Sequence, residues 1–89
     1  MTSITLYHKD YCPYCKRAKK VLTAYGLQYR EIEVTNNSAE FSNMVRRSGR
    51  KTVPQIFFGD THIGGFDDLQ QHIKRNKGIR LSSSKLISA

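Results

Sequence analysis

The sequence predicts a single small α/β domain, and three observations support that prediction. Short segments of alternating polar and apolar residues, typical of strands, are interspersed with segments in which apolar residues recur at helical spacing. In chain order the elements are strand, helix, strand, a second helix, a hairpin of two strands and a last helix. The length of 89 residues is enough for one hydrophobic core and too short for two. We expect the first two strands to pair in parallel through a right-handed crossover.

The first half of the chain contains this strand–helix–strand unit. Residues 3–7 alternate and form the first predicted strand. A helix is predicted over residues 13–25, where the apolar side chains form one stripe at Ala18, Val21, Leu22 and Tyr25. Gly26 ends this helix, and the second strand is predicted over residues 28–34.

The middle of the chain is predicted to contain a capped helix and a buried strand. Asn37, followed three residues later by Glu40, has the pattern of an N-cap with a reciprocal partner. The helix that it opens is expected to end at Gly49. An apolar strand is predicted over residues 53–58.

A hairpin and a last helix complete the predicted domain. The Gly-Asp dipeptide at residues 59–60 predicts a two-residue turn into a short strand over residues 61–63. The last helix has an apolar inner face formed by Phe66, Leu69 and Ile73. It is expected to end at Gly78, so that a domain of residues 1–78 is followed by a Ser-rich tail of residues 79–89.

The charge balance favours anionic partners. Fifteen lysines and arginines against seven acidic residues give a formal net charge of +8 at pH 7. The aromatic residues do not alternate with the positive ones as a base-stacking surface requires, so we expect no specific nucleic-acid binding. No apolar run is long enough to cross a bilayer, and the first residues lack the features of a signal peptide. We therefore expect a cytoplasmic protein without membrane attachment, in a compartment that keeps thiols reduced.

Cys12 and Cys15 form a C-x-x-C motif and are the only cysteines in the chain. At this spacing both sulfurs meet across one helical turn, close enough to form and break a disulfide. A purely structural bridge is a weak alternative, because closing so short a loop removes little chain entropy. The motif therefore predicts a redox-active pair.

The predicted helix assigns different roles to the two cysteines. Pro13 suits the first helical position, which places Cys12 at the helix N-terminus. There the backbone N–H groups of Tyr14 and Cys15 can point at its sulfur, and the helix dipole stabilises a negative charge by about 0.3–1 kcal/mol. Because a thiolate is the attacking species, we predict Cys12 as the nucleophile. Cys15 lies one turn further in, is expected to be less exposed, and is predicted to be the resolving thiol.

A zinc site is the alternative chemistry for a pair of cysteines. One C-x-x-C supplies half of a tetrahedral ligand set, and the chain has three histidines to complete it, His8, His62 and His72. Their positions do not have ligand spacing, so each is predicted to be a surface or loop residue. We expect no bound metal.

Three motifs occur in order along the chain: C-P-Y-C at residues 12–15, Thr-Val-Pro at residues 52–54, and Gly-Gly-Phe-Asp-Asp at residues 64–68. Together they resemble the glutaredoxins, specifically the small bacterial dithiol type, over about residues 3–76. The resemblance implies a thioredoxin fold, with a four-stranded mixed β-sheet and helices on both faces. It also implies a cis peptide bond before Pro54.

The resemblance implies glutathione as the reductant and co-substrate. This tripeptide has two carboxylates and one ammonium group, and each end needs a matching side chain. Lys9 is expected to hold the glycyl carboxylate, with Arg50 or Lys51 as alternatives. Asp67 or Asp68 is expected to accept a hydrogen bond from the ammonium group.

The same resemblance implies a groove beside the cysteines, lined by Tyr14, Thr52, Val53, Pro54, Gly65 and Phe66. The backbone N–H and C=O of Val53 are expected to pair with the extended tripeptide as an added strand would. For Tyr14, packing alone is an equal alternative to ligand contact. For Asp67, capping of the last helix is the alternative to ligand binding.

The implied function is glutathione-dependent thiol–disulfide exchange by a monomer that acts on disulfide-bearing or glutathionylated proteins. Ribonucleotide reductase is a common acceptor in the family. A dimeric iron–sulfur carrier that uses one cysteine per chain is a second hypothesis, and Pro13 and Cys15 argue against it. A nucleic-acid module is a third hypothesis, and its only support is the net charge.

Overall fold

The computed structural model describes residues 3–75, which form one four-stranded sheet and three helices. In chain order the elements are β1 (Ile4–His8), α1 (Pro13–Ala24), β2 (Arg30–Glu33), α2 (Ser38–Ser48), β3 (Gln55–Phe58), β4 (Thr61–Gly64) and α3 (Phe66–Arg75). The strands lie in the order β2-β1-β3-β4. β1 and β2 are parallel, as predicted, and the other neighbouring pairs are antiparallel.

The side chains of β1 alternate in direction, so they pack against a helical layer on each face of the sheet. Ile4 and Leu6 belong to one core, together with Ala18, Leu22, Ile56, Leu69 and Ile73 of α1, β3 and α3. Tyr7 belongs to the core on the other face, which contains Val34, Met44 and Phe57 and lies against α2. The mixed sheet with helices on both faces confirms the thioredoxin fold that the resemblance implies.

The observed elements begin and end close to their predicted limits. Tyr25 caps α1 instead of forming its last helical residue. β2 starts at Arg30, later than predicted, and β3 starts at Gln55 rather than Val53. The late start of β3 has a direct cause, because Pro54 has no N–H to donate to a neighbouring strand.

The caps of α2 explain why this helix begins and ends where the sequence predicts. The side-chain carbonyl of Asn37 accepts a hydrogen bond from the Glu40 backbone N–H at 3.1 Å. Gly49 ends the helix in a left-handed conformation, with φ 74°. The N-cap is thus confirmed, but the predicted reciprocal bond is replaced, because the Glu40 carboxylate accepts a hydrogen bond from the Asn43 amide at 3.2 Å.

The C-terminal predictions lie beyond the part of the chain that the structure describes. They are the end of the last helix at Gly78, the domain boundary that follows it and the tail of residues 79–89. Within residues 3–75, no helix combines the length and the apolar character that crossing a bilayer would require.

Replacing Asn37 with Ala should lower the free energy of unfolding by about 1 kcal/mol, because the Glu40 N–H loses its acceptor. Urea unfolding followed by circular dichroism measures this difference. The matched control is Asn36→Ala, an exposed residue in the preceding turn, which should stay within about 0.5 kcal/mol of wild type. An equal loss in both variants would show that the cap is not the cause.

Candidate active site

Cys12 occupies the N-cap position of α1. Its backbone is extended, with φ −89° and ψ 115°, and Pro13 follows as the first helical residue. The backbone N–H of Cys15, one of the two predicted donors, hydrogen bonds to the Cys12 Sγ at 3.2 Å. This N–H is one of the donors that a helix start leaves without an intrahelical acceptor. The bond and the helix dipole are both arranged to stabilise a thiolate at this sulfur.

The backbone of Val53 lies beside the same sulfur. The Cys12 thiol donates to the Val53 carbonyl oxygen over a distance of 3.8 Å. The Val53–Pro54 peptide bond is cis, as the resemblance implies. The loop before β3 therefore borders the sulfur with main-chain polar groups.

Cys15 differs from Cys12 in both exposure and acidity. Cys12 is half-buried, whereas Cys15 is 1% exposed. Burial and, after it, the hydrogen bond with Cys12 together raise the pKa of the Cys15 thiol to about 12, against smaller opposing effects of the Lys9 backbone and the Lys19 charge. The prediction that Cys15 is the less exposed thiol is confirmed. At neutral pH Cys15 is a thiol and not a thiolate.

A groove of about 290 Å³ lies next to the C-P-Y-C motif at the start of α1. It is lined by Tyr14, Arg50, Thr52, Val53, Pro54, Gln55, Gly65, Phe66 and Asp67. A slightly larger cavity of about 360 Å³ lies between β4 and α3. Of these two cavities, only the groove is lined by a residue of the C-P-Y-C motif and by Val53, so it is the one adjacent to Cys12.

Most of the residues predicted to bind the ligand line this groove. The predicted members that come together there are Tyr14, Thr52, Val53, Pro54, Gly65, Phe66 and Asp67. Tyr14 also packs, because its ring centroid is 5.8 Å from that of Phe66. Half of the Tyr14 side chain nevertheless stays exposed, so its packing leaves a surface for a ligand.

Lys9 is not among the residues that line the groove. Its ammonium group lies 5.7 Å from the centre of the Phe41 ring on α2, a cation–π distance. Arg50, one of the two alternatives for the carboxylate, does line the groove. Of the three positive residues predicted for the glycyl carboxylate, Arg50 is thus the one that lines the groove, and the assignment of Lys9 to that carboxylate stays a prediction.

Asp68 is exposed, but its carboxylate is hydrogen-bonded within the chain and does not line the groove. Its carboxylate accepts hydrogen bonds from the Gly65 backbone N–H at 3.1 Å and from the Arg50 guanidinium at 3.3 Å. The Gly65 hydrogen bond, followed by Arg50, lowers the pKa of Asp68 below its usual value of 3.8. Asp68 therefore has the capping role at the start of α3 that the sequence suggested for Asp67, and Asp67 remains exposed at the groove.

Gly64 is the glycine on which this arrangement depends. Its φ of +123° is unfavourable for other residues, and a Cβ at this position would overlap the Asp68 carboxylate. A Cβ at Gly65 would be 3.5 Å from the Pro54 carbonyl oxygen, an ordinary contact. Of the two glycines, Gly64 is therefore the one whose replacement would displace the Asp68 carboxylate.

Gln55 also lines the groove, although the motifs do not predict it there. Its side-chain amide donates to the Thr52 carbonyl at 3.0 Å and to the Thr52 hydroxyl at 3.2 Å. The residue is only 1% exposed. A polar amide in the otherwise apolar strand Gln-Ile-Phe-Phe needs buried partners, and this mismatch is the sequence signal that identifies it.

The three histidines lie in three different surroundings. His8 is 7% exposed in β1, with Nε2 3.4 Å from the Glu31 carboxylate, so its prediction as a surface or loop residue was wrong. Its strand is central and its side chain faces the α1 layer. His62 lies in β4 beside Gln55, and His72 packs edge-on against Phe58. Within residues 3–75, no three His, Cys, Asp or Glu side chains converge as metal ligands would.

Comparison with known proteins identifies the family. The glutaredoxin family profile matches residues 4–63. The chain belongs to the glutaredoxin family. It is 48% identical over 69 residues to glutaredoxin 3 of Escherichia coli K12, a match that covers 78% of this chain and 83% of that one.

Solved glutaredoxin structures agree with the fold. The solution structure of the Brucella melitensis glutaredoxin is 40% identical, with a TM-score of 0.75 over 91% of this chain and 88% of that one. The crystal structure of the buckwheat glutaredoxin–glutathione complex is 30% identical, with a TM-score of 0.76 over 98% of this chain and 83% of that one.

Iodoacetamide at pH 7 should modify Cys12 and leave Cys15 unmodified in the reduced protein. Cys15 is enclosed, and a thiol with a pKa of about 12 is ionised at pH 7 in about one molecule in 10⁵. Mass spectrometry of the intact chain and of its peptides should find a single adduct, on Cys12. The Cys15→Ser variant is the control and should gain the same adduct, and modification of Cys15 at a comparable rate would contradict the assignment.

Asp68→Asn should lower the stability at neutral pH, and the difference from wild type should disappear in acid. Asp68 has a lower pKa folded than unfolded, so its charge stabilises the fold above the unfolded value of about 3.8. That stabilisation is lost as the pH falls through the folded pKa, which lies lower. Urea unfolding between neutral pH and about pH 2 measures the effect.

The exposed neighbour Asp67, changed to Asn, is the control for this experiment and should show no such pH dependence. If the Asp68→Asn difference persisted at the acid end, the loss would come from something other than the carboxylate charge.

Proposed function

We propose that Cys12 and Cys15 carry out glutathione-dependent thiol–disulfide exchange, the activity of the family to which the chain belongs. The observation that carries this proposal is the position of the Cys12 sulfur. It accepts a helix N-terminal N–H at 3.2 Å and lies 3.8 Å from the Val53 carbonyl at the wall of an open groove. A nucleophilic sulfur and a peptide-binding surface are thus adjacent.

The groove has the chemistry that glutathione requires. Arg50 supplies a positive group for one carboxylate, and the exposed Asp67 supplies an acceptor for the ammonium. The start of α3 presents backbone N–H groups that suit the second carboxylate. The main chain of Val53 can pair with the extended tripeptide as an added strand. The bound glutathione named for the related buckwheat protein supports this assignment.

On a glutathionylated protein, the reaction requires Cys12 alone. The Cys12 thiolate attacks the glutathione sulfur of the mixed disulfide, forms a Cys12–glutathione disulfide and releases the protein thiolate, which takes a proton from water. The thiolate of a second glutathione then attacks the glutathione sulfur held on Cys12. This releases glutathione disulfide and regenerates the Cys12 thiolate.

On a protein disulfide, both cysteines take part. Cys12 first forms a mixed disulfide with the substrate protein. Cys15 then loses its proton and attacks the Cys12 sulfur, which releases the second substrate thiolate and leaves a Cys12–Cys15 disulfide. Two glutathione molecules reduce that disulfide and leave as glutathione disulfide. Free glutathione competes with Cys15 for the mixed disulfide, because its thiolate can attack the same disulfide.

We infer that the substrates are disulfide-bearing or glutathionylated proteins, with ribonucleotide reductase as one candidate acceptor. The net charge of +8 supports anionic partners. We further propose that the protein acts as a monomer in a reducing cytoplasm, where a Cys12–Cys15 disulfide would be transient.

Cys12→Ser should abolish turnover of a glutathionylated peptide, whereas Cys15→Ser should keep most of it and lose reduction of a protein disulfide. A coupled assay with glutathione, glutathione reductase and NADPH measures both activities. Each variant is the control for the other, because the substitution is chemically identical. Full activity of Cys12→Ser would refute the proposed nucleophile.

A further inference from the structure

Gln55 and His62 form a hydrogen-bonded chain that ends at the groove wall. The His62 Nε2 and the Gln55 Oε1 are 2.7 Å apart. The Gln55 Nε2 donates to both the carbonyl and the hydroxyl of Thr52, at 3.0 and 3.2 Å. The chain thus connects β4 with the loop that borders the Cys12 sulfur.

The partners of Gln55 define the orientation of its amide. The Thr52 carbonyl oxygen can only accept, so the nitrogen of Gln55 must face it, and the Gln55 oxygen must face His62. His62 therefore carries a hydrogen on Nε2 and donates it. Both the nitrogen and the oxygen of the Gln55 amide therefore have partners.

Neighbouring groups hold the His62 ring in place. Its centroid is 4.9 Å from that of Phe57, which is buried. Burial lowers the pKa of His62, and the charge of Arg50 lowers it further, against an opposing effect of Asp68. The Nε2 nitrogen donates in both the neutral and the protonated ring, so the bond to Gln55 does not depend on the charge of His62.

The Thr52 carbonyl matters because it shares a peptide plane with the Val53 N–H. The cis peptide bond is the one that follows Val53, and the Thr52–Val53 peptide is trans. In a trans peptide the C=O and N–H point in opposite directions. By drawing the Thr52 carbonyl inward, Gln55 turns the Val53 N–H away from itself, on the side where a ligand strand would pair.

We propose that Gln55, oriented by His62, is a positioning residue for glutathione binding that acts through the Thr52–Val53 peptide. It also occupies one acceptor site of the Thr52 hydroxyl, which leaves the hydroxyl hydrogen to donate to the ligand. Gln55 itself is buried and acts without touching the reacting sulfur. The inference rests on the proposed function, because it concerns how that site holds its co-substrate.

Gln55→Met tests the proposal, because it keeps the length of the side chain and removes its hydrogen bonds. The KM for glutathione and for a glutathionylated peptide should rise about fivefold to tenfold, as expected for the loss of one hydrogen bond. The kcat should stay within about twofold, because the cysteines are unchanged. Gln70→Met, the same substitution at an exposed position of α3, should leave both constants unchanged.

His62→Phe separates positioning from a general packing role. Phe keeps a ring against Phe57 and removes the bond to Gln55, so the KM should rise about twofold to threefold in the wild-type background. In the Gln55→Met background the same change should not raise the KM further, because the hydrogen bonds from His62 through Gln55 to Thr52 are already lost. An unchanged KM in Gln55→Met, a lower kcat at unchanged KM, or multiplying effects of the two substitutions would each overturn the proposal.

If Gln55→Met does not fold, a measurement that leaves Gln55 unchanged tests the same proposal. In ¹⁵N-labelled Cys15→Ser protein that carries glutathione on Cys12, the Val53 amide hydrogen should exchange slowly with solvent. His62→Phe should accelerate this exchange. Equal exchange rates with and without this substitution would refute the role of the hydrogen bonds that join His62, Gln55 and Thr52. Failure of the wild type to turn over any glutathionylated substrate would instead refute the proposed function itself.

Discussion

The antiparallel pairing of β1 with β3 at the centre of the sheet is the contact on which the site depends. In this register Tyr7 lies opposite Gln55, so the end of β1 and the start of β3 share one edge of the sheet. β4 returns antiparallel to β3 with Gly64 opposite Ile56, so the end of β4 reaches the same edge. The three loops at that edge carry the three glutaredoxin motifs. Strand register therefore brings the three motifs to one edge of the sheet, where they form the groove.

One helical turn separates two thiols of very different chemistry. The N-cap position gives Cys12 a helix N–H and access to solvent, whereas the first turn of α1 encloses Cys15. Burial is the main reason why the pKa of Cys15 is raised, since a charged sulfur would lose its hydration there. A single local feature, the start of α1 at Pro13, thus divides the pair into a nucleophile and a thiol that reacts only after losing a proton.

The polar groups of the groove are held by hydrogen bonds to other residues of the protein before a ligand binds. The Asp68 carboxylate holds both the Gly65 N–H and the Arg50 guanidinium, so the start of α3 and the Arg50 side chain have defined positions without a ligand. Gln55 does the same for Thr52, which also lines the groove. A site with its polar groups held in advance loses less conformational entropy when a flexible tripeptide binds.

Local chemistry is what the sequence by itself determined. The caps of α2, the helix start at Pro13 and the C-x-x-C spacing act between neighbouring residues, so the elements and the redox pair could be predicted. Tertiary structure decided which polar side chains line the groove. Lys9 lies over a ring on α2 instead, Asp68 rather than Asp67 caps α3, and Gln55 enters the groove wall. These outcomes depend on strand register and packing, which join residues far apart in the chain and leave no local pattern.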